Sequence, residues 1–165
     1  MTAATYGNAV TEDRTLDQLG RTLAVNATHS LGLVTALEYG YDALSNLKPR
    51  TDTLQSLAEN FGYDALNRLT SEASSHPSQD TKTLQYDALG NISYKSDVGS
   101  YTYAALRTNG TNRPHVVSSV SGGWNASFQY DANGNMTVSD DRTLTYTSFN
   151  LPTTLVKNGQ TTTLL

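Results

Sequence analysis

The chain contains no cysteine in its 165 residues, which removes disulfide scaffolds, thiolate metal sites and cysteine nucleophiles together. Charge is sparse as well. Charged residues make up 16%, with 11 Lys+Arg against 15 Asp+Glu and a net charge of −4. No basic stripe exists to neutralise phosphates, so the sequence argues against nucleic acid as a partner and against an anionic membrane surface. Long apolar runs are missing too. The longest candidate, Leu31 to Leu37, is broken by Gly32 and Thr35, so no membrane insertion is expected. The N-terminus lacks the basic-then-apolar order of a secretory signal, so an export route would depend on a longer polypeptide or a dedicated machine.

What remains is mostly uncharged and polar. Hydrophobic residues are 37% of the chain, and ten tyrosines stand against three phenylalanines and one tryptophan. Such a balance suits strands with one wet face, because tyrosine packs its ring and still satisfies a hydroxyl at a half-exposed site. Helices of any length would normally carry more charge.

The pattern Tyr-Asp-Ala-x-x-Asn/Arg-apolar occurs four times. It reads Tyr41-Asp42-Ala43-Leu44-Ser45-Asn46-Leu47, Tyr63-Asp64-Ala65-Leu66-Asn67-Arg68-Leu69, Tyr86-Asp87-Ala88-Leu89-Gly90-Asn91-Ile92 and Tyr130-Asp131-Ala132-Asn133-Gly134-Asn135-Met136. The period is roughly 22 to 23 residues, with one degenerate unit before the last copy, and a period of this size marks a repeat architecture. Weaker copies extend the array. Leu16-Asp17-Gln18-Leu19-Gly20-Arg21-Thr22 loses the tyrosine, Tyr103 to Arg107 loses the aspartate, and Tyr146-Thr147-Ser148-Phe149-Asn150-Leu151-Pro152 is a worn final copy. Clear repeats span about residues 15–156 of what reads as a single domain, 1–165, with no separate catalytic domain.

Strand periodicity surrounds the motif. Trp124, Ala126, Phe128 and Tyr130 alternate with polar residues, as do Leu144 and Tyr146 with threonines. Tyrosine ends an incoming strand, and the aspartate after it is placed to cap backbone N–H groups in an Asx-turn. The Gly90-Asn91 and Gly134-Asn135 pairs accommodate positive φ, Asn67 tolerates it, and Ser45 does so less comfortably. The expected fold is all-β: serial antiparallel hairpins in a curved sheet, with a late hairpin turning at Asn158-Gly159. Leu54 to Glu59 is the one stretch read as a turn or two of helix. Glu72 to Asp80 and Asn109 to Pro114 read as loops.

Tyr-Asp-Ala-x-Gly-Asn at this period resembles the YD repeat of Rhs proteins, of the C components of insecticidal toxin complexes and of the teneurins. Arg113-Pro114-His115-Val116-Val117, Phe128 to Met136 and Phe149-Asn150-Leu151-Pro152-Thr153 resemble the bacterial Rhs branch. The resemblance implies a segment of a hollow β-shell, secreted or cell-surface as part of a larger exported bacterial protein. Its implied partners are the remaining repeats, core and toxin domain of a longer parent polypeptide, or other copies of the segment. The implied role is non-enzymatic: the shell encapsulates or presents a toxin or effector polypeptide. The family's self-cleaving core segment contains an Asp-Pro step, and no Asp-Pro dipeptide occurs here. That chemistry is therefore not carried over to this chain.

The bland readings outweigh the chemical ones. One carboxylate per loop is too few for calcium, so Asp42, Asp64, Asp87 and Asp131 read as loop caps. His29, His76 and His115 lack metal-ligand spacing, and no Gly-x-Ser-x-Gly elbow is present. No catalytic, cofactor or metal site is expected. Tyr41, Tyr63, Tyr86 and Tyr130 recur at one position, where they either pack neighbouring hairpins or face a cavity or a sugar. The alternative function is a carbohydrate or cell-surface binding module that stacks a glycan on exposed tyrosines and Trp124.

Overall fold

The computed structural model describes residues 2–103 and 114–164, and every regular element in them is a β-strand. The contacts of the chain gather into two compact units, Met1–Thr83 and Leu84–Leu165.

The first unit contains β1 (Thr2–Thr5), β2 (Thr11–Leu16), β3 (Thr22–His29), β4 (Gly32–Tyr41), β5 (Leu47–Asp52), β6 (Leu57–Tyr63), β7 (Leu69–Ser74) and the first residues of β8 (Lys82–Tyr86). Each strand pairs antiparallel with its sequence neighbours. The second unit continues from the end of β8 through β9 (Ile92–Lys95), β10 (Gly99–Thr102), β11 (Ser119–Ser121), β12 (Ala126–Tyr130), β13 (Met136–Ser139), β14 (Arg142–Tyr146), β15 (Pro152–Lys157) and β16 (Gln160–Thr163). Its pairing is again antiparallel throughout. Strand order follows chain order from β1 to β16. The serial antiparallel hairpins expected from the repeat are what the chain forms.

One expectation is corrected. Leu54 to Glu59 makes no helix, because Leu57 already begins β6 and pairs with Asp52 across a turn. Three apolar residues in a six-residue window do not decide between helix and strand, and the facing strand supplies hydrogen bonds that an isolated helical turn lacks. The strand β7 likewise runs through Ser74, so the loop read from Glu72 onward begins later. The Tyr103 copy and the Asn109 to Pro114 loop lie mostly on residues 104–113, outside the described residues.

Burial is thin. The buried hydrophobic residues among those described are Ala36, Val120 and Ala126, and Ser139 is the largest fully buried side chain. Among the described residues of each unit, a strand touches the strands before and after it in sequence and no others. Stability of this kind is a sum of neighbour-to-neighbour terms, with no central core to dominate it. Close backbone approach tightens one such junction. Gly99 and Gly122 adopt φ of +121° and +133°, and a Cβ on Gly122 would stand 2.9 Å from the Gly99 Cα.

Because an antiparallel meander changes edge at every connection, elements at alternate connections share an edge. The Tyr-Asp motifs occupy alternate connections. In the first unit the loops 17–21, 42–46 and 64–68 therefore lie along one edge, with turns 30–31, 53–56 and 75–81 along the other. In the second unit the loops 87–91, 131–135 and 147–151 share an edge in the same way.

Candidate functional site

Each motif loop is built around its aspartate. The Asp87 N–H donates to the Asn91 carbonyl at 2.9 Å, and the Gly90 N–H returns to the Asp87 carbonyl at 3.1 Å. The Asp87 carboxylate then closes the loop from inside. Its Oδ1 accepts from the Leu89 and Asn91 N–H groups, and its Oδ2 accepts from the Asn91 side-chain amide at 2.8 Å. The same set of bonds recurs at Asp42 with Leu44 and Asn46, and at Asp131 with Asn133, Gly134 and Asn135. At Asp17 and Asp64 an arginine takes the asparagine's place, donating Nε to Oδ2 at 2.6 and 2.7 Å. Asn and Arg are interchangeable here because both present a side-chain N–H four residues after the carboxylate.

Among the described copies, the residue three after the aspartate, or after Thr147 in the last, takes positive φ: Gly20, Ser45, Asn67, Gly90, Gly134 and Asn150. The register slips by one residue where the strand enters the loop, at Leu16, Tyr41, Tyr63, Tyr86, Tyr130 and Tyr146. A turn followed by a left-handed residue and a bulge is a standard hairpin closure.

Hydrogen bonds lower the pKa of these carboxylates from the usual value. For Asp42, Asp87 and Asp131 the asparagine side chain four residues on contributes most, and backbone N–H groups add to it against partial desolvation. At Asp64 the Arg68 N–H leads. At Asp17 desolvation is the largest single influence and pushes upward, but the bonds from Arg21 and Leu19 outweigh it together.

The loops are also joined to one another. Arg21 Nη1 donates to Ser45 Oγ at 2.9 Å, and Asn46 Nδ2 donates to Asn67 Oδ1 at 2.9 Å. In the second unit Asn135 and Asn133 both donate to Asn150 Oδ1, at 2.9 and 3.1 Å. Asn91 donates to the Pro114 carbonyl at 2.8 Å and pairs with His115 Nδ1 at 2.7 Å. The donor is the residue beside its own aspartate, and its acceptor in the intact copies is the left-handed residue of the next loop. Ser45 and Asn67 are thus acceptors in a strut as well as substitutes for glycine. The period of the motif sets these residues roughly one repeat apart, but repetition alone did not show that their side chains meet.

The tyrosines reach back across the same junctions. Tyr41 donates its hydroxyl to the Thr22 carbonyl at 2.8 Å and Tyr63 to the Leu47 carbonyl at 2.9 Å. Tyr103 bonds the Ile92 carbonyl, Tyr130 the Val117 carbonyl and Tyr146 the Met136 carbonyl, at 2.9 to 3.0 Å. Each acceptor lies at or near the start of the strand that leaves the preceding loop. Burial raises the pKa of Tyr63, Tyr103 and Tyr130, which keeps the hydroxyl a donor. Arg21 also covers the Tyr41 ring, with its guanidinium carbon 4.7 Å from the ring centroid. Tyr86 ends β8, where it pairs with Ile92.

Trp124 sits elsewhere, between β11 and β12, 42% exposed and edge-on to Phe128 at 5.8 Å between centroids. The Trp124 backbone N–H donates to the Val98 carbonyl at 2.9 Å. No group of three or more metal-binding side chains occurs among the described residues.

Carboxylate-closed loops tied in series along a sheet edge define a protein of serial β-hairpin repeats. The chain matches the teneurin YD-shell family over residues 2–162 and belongs to it. Two solved structures share the fold. A crystal structure of TcdB2-TccC3-TEV aligns with 88% of this chain at 15% identity and a TM-score of 0.62. The Photorhabdus luminescens Tc holotoxin pore carrying a TccC3 mutation aligns with 98% at 12% identity and a TM-score of 0.53. The chain spans about 9% of the length of each of these chains. No curated protein sequence matches it.

Proposed function

We propose that this chain is a length of wall in a YD-type shell, non-enzymatic in itself, that encloses or presents a polypeptide cargo. Membership of the family supports a structural shell role. The observation that carries the reading is the arrangement of bonds: the motif's polar groups are consumed within loops or between successive loops. Among the described residues, the motif aspartates, Asn46, Asn91, Asn135, Arg21, Tyr41, Tyr63 and Tyr130 bond to their own repeat or the neighbouring one. Groups so occupied build a continuous surface and are not presented to a substrate. On this reading the partners are further repeats and an enclosed polypeptide of a larger exported protein, by analogy with the C-component shells of the toxin complexes.

The experiment is electron microscopy of the full-length gene product, coupled to protease treatment of the intact particle. A hollow particle with a protected internal polypeptide is expected. A solid particle, or cargo cut as fast as in denatured protein, refutes the proposal. The carbohydrate reading draws less support, because Trp124 already packs its ring edge-on against Phe128.

A further inference from the structure

Three Asn-Gly steps occur in the chain, and glycine after asparagine leaves the backbone N–H unshielded toward the asparagine side chain. Asn109-Gly110 lies outside the described residues. The two that are described sit in opposite circumstances. At Asn133-Gly134 both reacting groups are held. The Gly134 N–H donates to the Asp131 carbonyl at 3.2 Å and to Asp131 Oδ1 at 2.9 Å, and the Asn133 side-chain amide donates to Asn150 Oδ1 at 3.1 Å. The Asp131 carboxylate also disfavours loss of the Gly134 proton, because the resulting amide anion would face a second negative charge. At Asn158-Gly159, the two-residue turn between β15 and β16, neither group is engaged. Among the described residues the Gly159 N–H and the Asn158 carboxamide make no hydrogen bond, and the space around the Gly159 Cα is open. Both residues are exposed and left-handed, at φ +51° and +74°. The hairpin they close is lightly anchored, because β16 pairs with β15 alone among the described strands and is exposed along its length.

We propose that Asn158 is a site of spontaneous covalent conversion to aspartate and isoaspartate, with water as the co-reactant. The Gly159 N–H first loses its proton to hydroxide, and the nitrogen attacks the Asn158 Cγ. A new C–N bond closes a succinimide ring, and the Cγ–Nδ2 bond breaks, releasing ammonia once the departing nitrogen takes a proton from water and regenerates hydroxide. Water then adds to one of the two ring carbonyls, and the ring C–N bond on that side breaks. Opening at Cγ leaves aspartate. Opening at the main-chain carbonyl leaves isoaspartate, whose backbone runs through Cβ and Cγ. Attack requires the turn to open, and a hairpin with β16 on one side opens more readily than a loop closed by its carboxylate. Either product adds a negative charge to a chain already at −4. Isoaspartate also lengthens the main chain of a two-residue turn by one carbon, so the Lys157–Gln160 pairing that the turn sets no longer closes in register. The conversion therefore loosens β16 and leaves β14 paired with β15.

The test holds the intact folded chain at mildly alkaline pH and follows both steps over time by peptide mass mapping. Isoaspartate is counted separately, as methyl groups accepted from an isoaspartyl methyltransferase. Asn158 is expected to convert at least about tenfold faster than Asn133, since Gly134 must break its bonds to Asp131 before its nitrogen can attack. In urea the two steps are expected to react at similar rates, because the folded surroundings that distinguish them are gone. Equal rates at the two positions in the folded chain overturn the proposal. So does an Asn158 that stays intact in the folded chain while converting in urea. Amide exchange of the purified isoaspartyl species is expected to be faster in β16 and unchanged in β14, and unchanged exchange in β16 overturns the loosening. The variant Asn158→Asp carries the new charge on an ordinary backbone and is expected to exchange like the parent chain. If it exchanges as fast as the isoaspartyl species, charge and not chain length is the cause, and the register argument fails.

Discussion

Replacing Asn67 separates two roles that the loop combines. Asn67 stands at φ +60° and its Oδ1 accepts from Asn46 at 2.9 Å. If backbone conformation were all that mattered, Asn67→Gly would be neutral or mildly stabilising, because glycine meets no steric penalty in the left-handed region. Loss of the strut moves the result the other way, by about 0.5–1 kcal/mol for a neutral, exposed hydrogen bond. Asn67→Ala removes the strut and adds left-handed strain of roughly 1–2 kcal/mol, giving a total near 2 kcal/mol. The expected order of stability is therefore wild type, then Gly, then Ala. A double-mutant cycle with Asn46→Ala isolates the inter-loop bond from the bond that Asn46 makes to Asp42, and the coupling is expected at about 0.5–1 kcal/mol. Urea unfolding followed by circular dichroism gives the four stabilities, and amide exchange at Arg68 reports the loop itself. A coupling indistinguishable from zero, or Asn67→Gly more stable than wild type, refutes the strut.

Removing a tyrosine hydroxyl strands a carbonyl of the preceding repeat, so Tyr63→Phe and Tyr130→Phe are each expected to cost about 1 kcal/mol by denaturant titration. The motif aspartates have folded pKa values below their unfolded values. Their contribution is thus complete above the unfolded carboxylate range near pH 4 and is lost as pH falls through the lower folded values. A circular dichroism titration should be flat from neutral pH down to about pH 4 and fall below it, and a midpoint near neutrality contradicts the loop geometry. Gly122→Ala places a Cβ against the Gly99 backbone at φ +133°, and a loss of about 1–3 kcal/mol is expected in thermal unfolding.

The strands were legible because their cue is local. Alternation from Trp124 to Tyr130 and the spacing of four Tyr-Asp pairs define both the strands and their connections. Asp87 could be placed as a cap for the same reason, since its bonds reach only two to four residues. The struts were less legible because their partners are 21 or 24 residues apart, and a period seen as repetition says nothing of which atoms meet. The hydroxyl bonds of Tyr41 and Tyr63 were hidden likewise, because their acceptors are main-chain carbonyls that any residue supplies. Leu54 to Glu59 misled because an apolar window of six residues carries no length information, and pairing with β5 decided it.

The degenerate copies show what the fold needs from each repeat. Thr147 replaces the aspartate, yet its Oγ1 accepts from the Phe149 and Leu151 N–H groups at 3.2 Å, and the backbone closes with the same pair of bonds. Leu16 replaces the tyrosine, but the Asp17 loop still forms and Arg21 still reaches the next loop. Each of these two copies therefore gives up one element and keeps a bond to a neighbouring repeat: Arg21 forward to Ser45 from the first, Tyr146 back to Met136 from the last. In a structure whose strands touch only their sequence neighbours, a repeat that lost both its closure and its link would interrupt the sheet with nothing beyond to restore it. Degeneration at either function alone is tolerated because the other still fixes the register, and this is why the motif recurs with different residues missing from different copies.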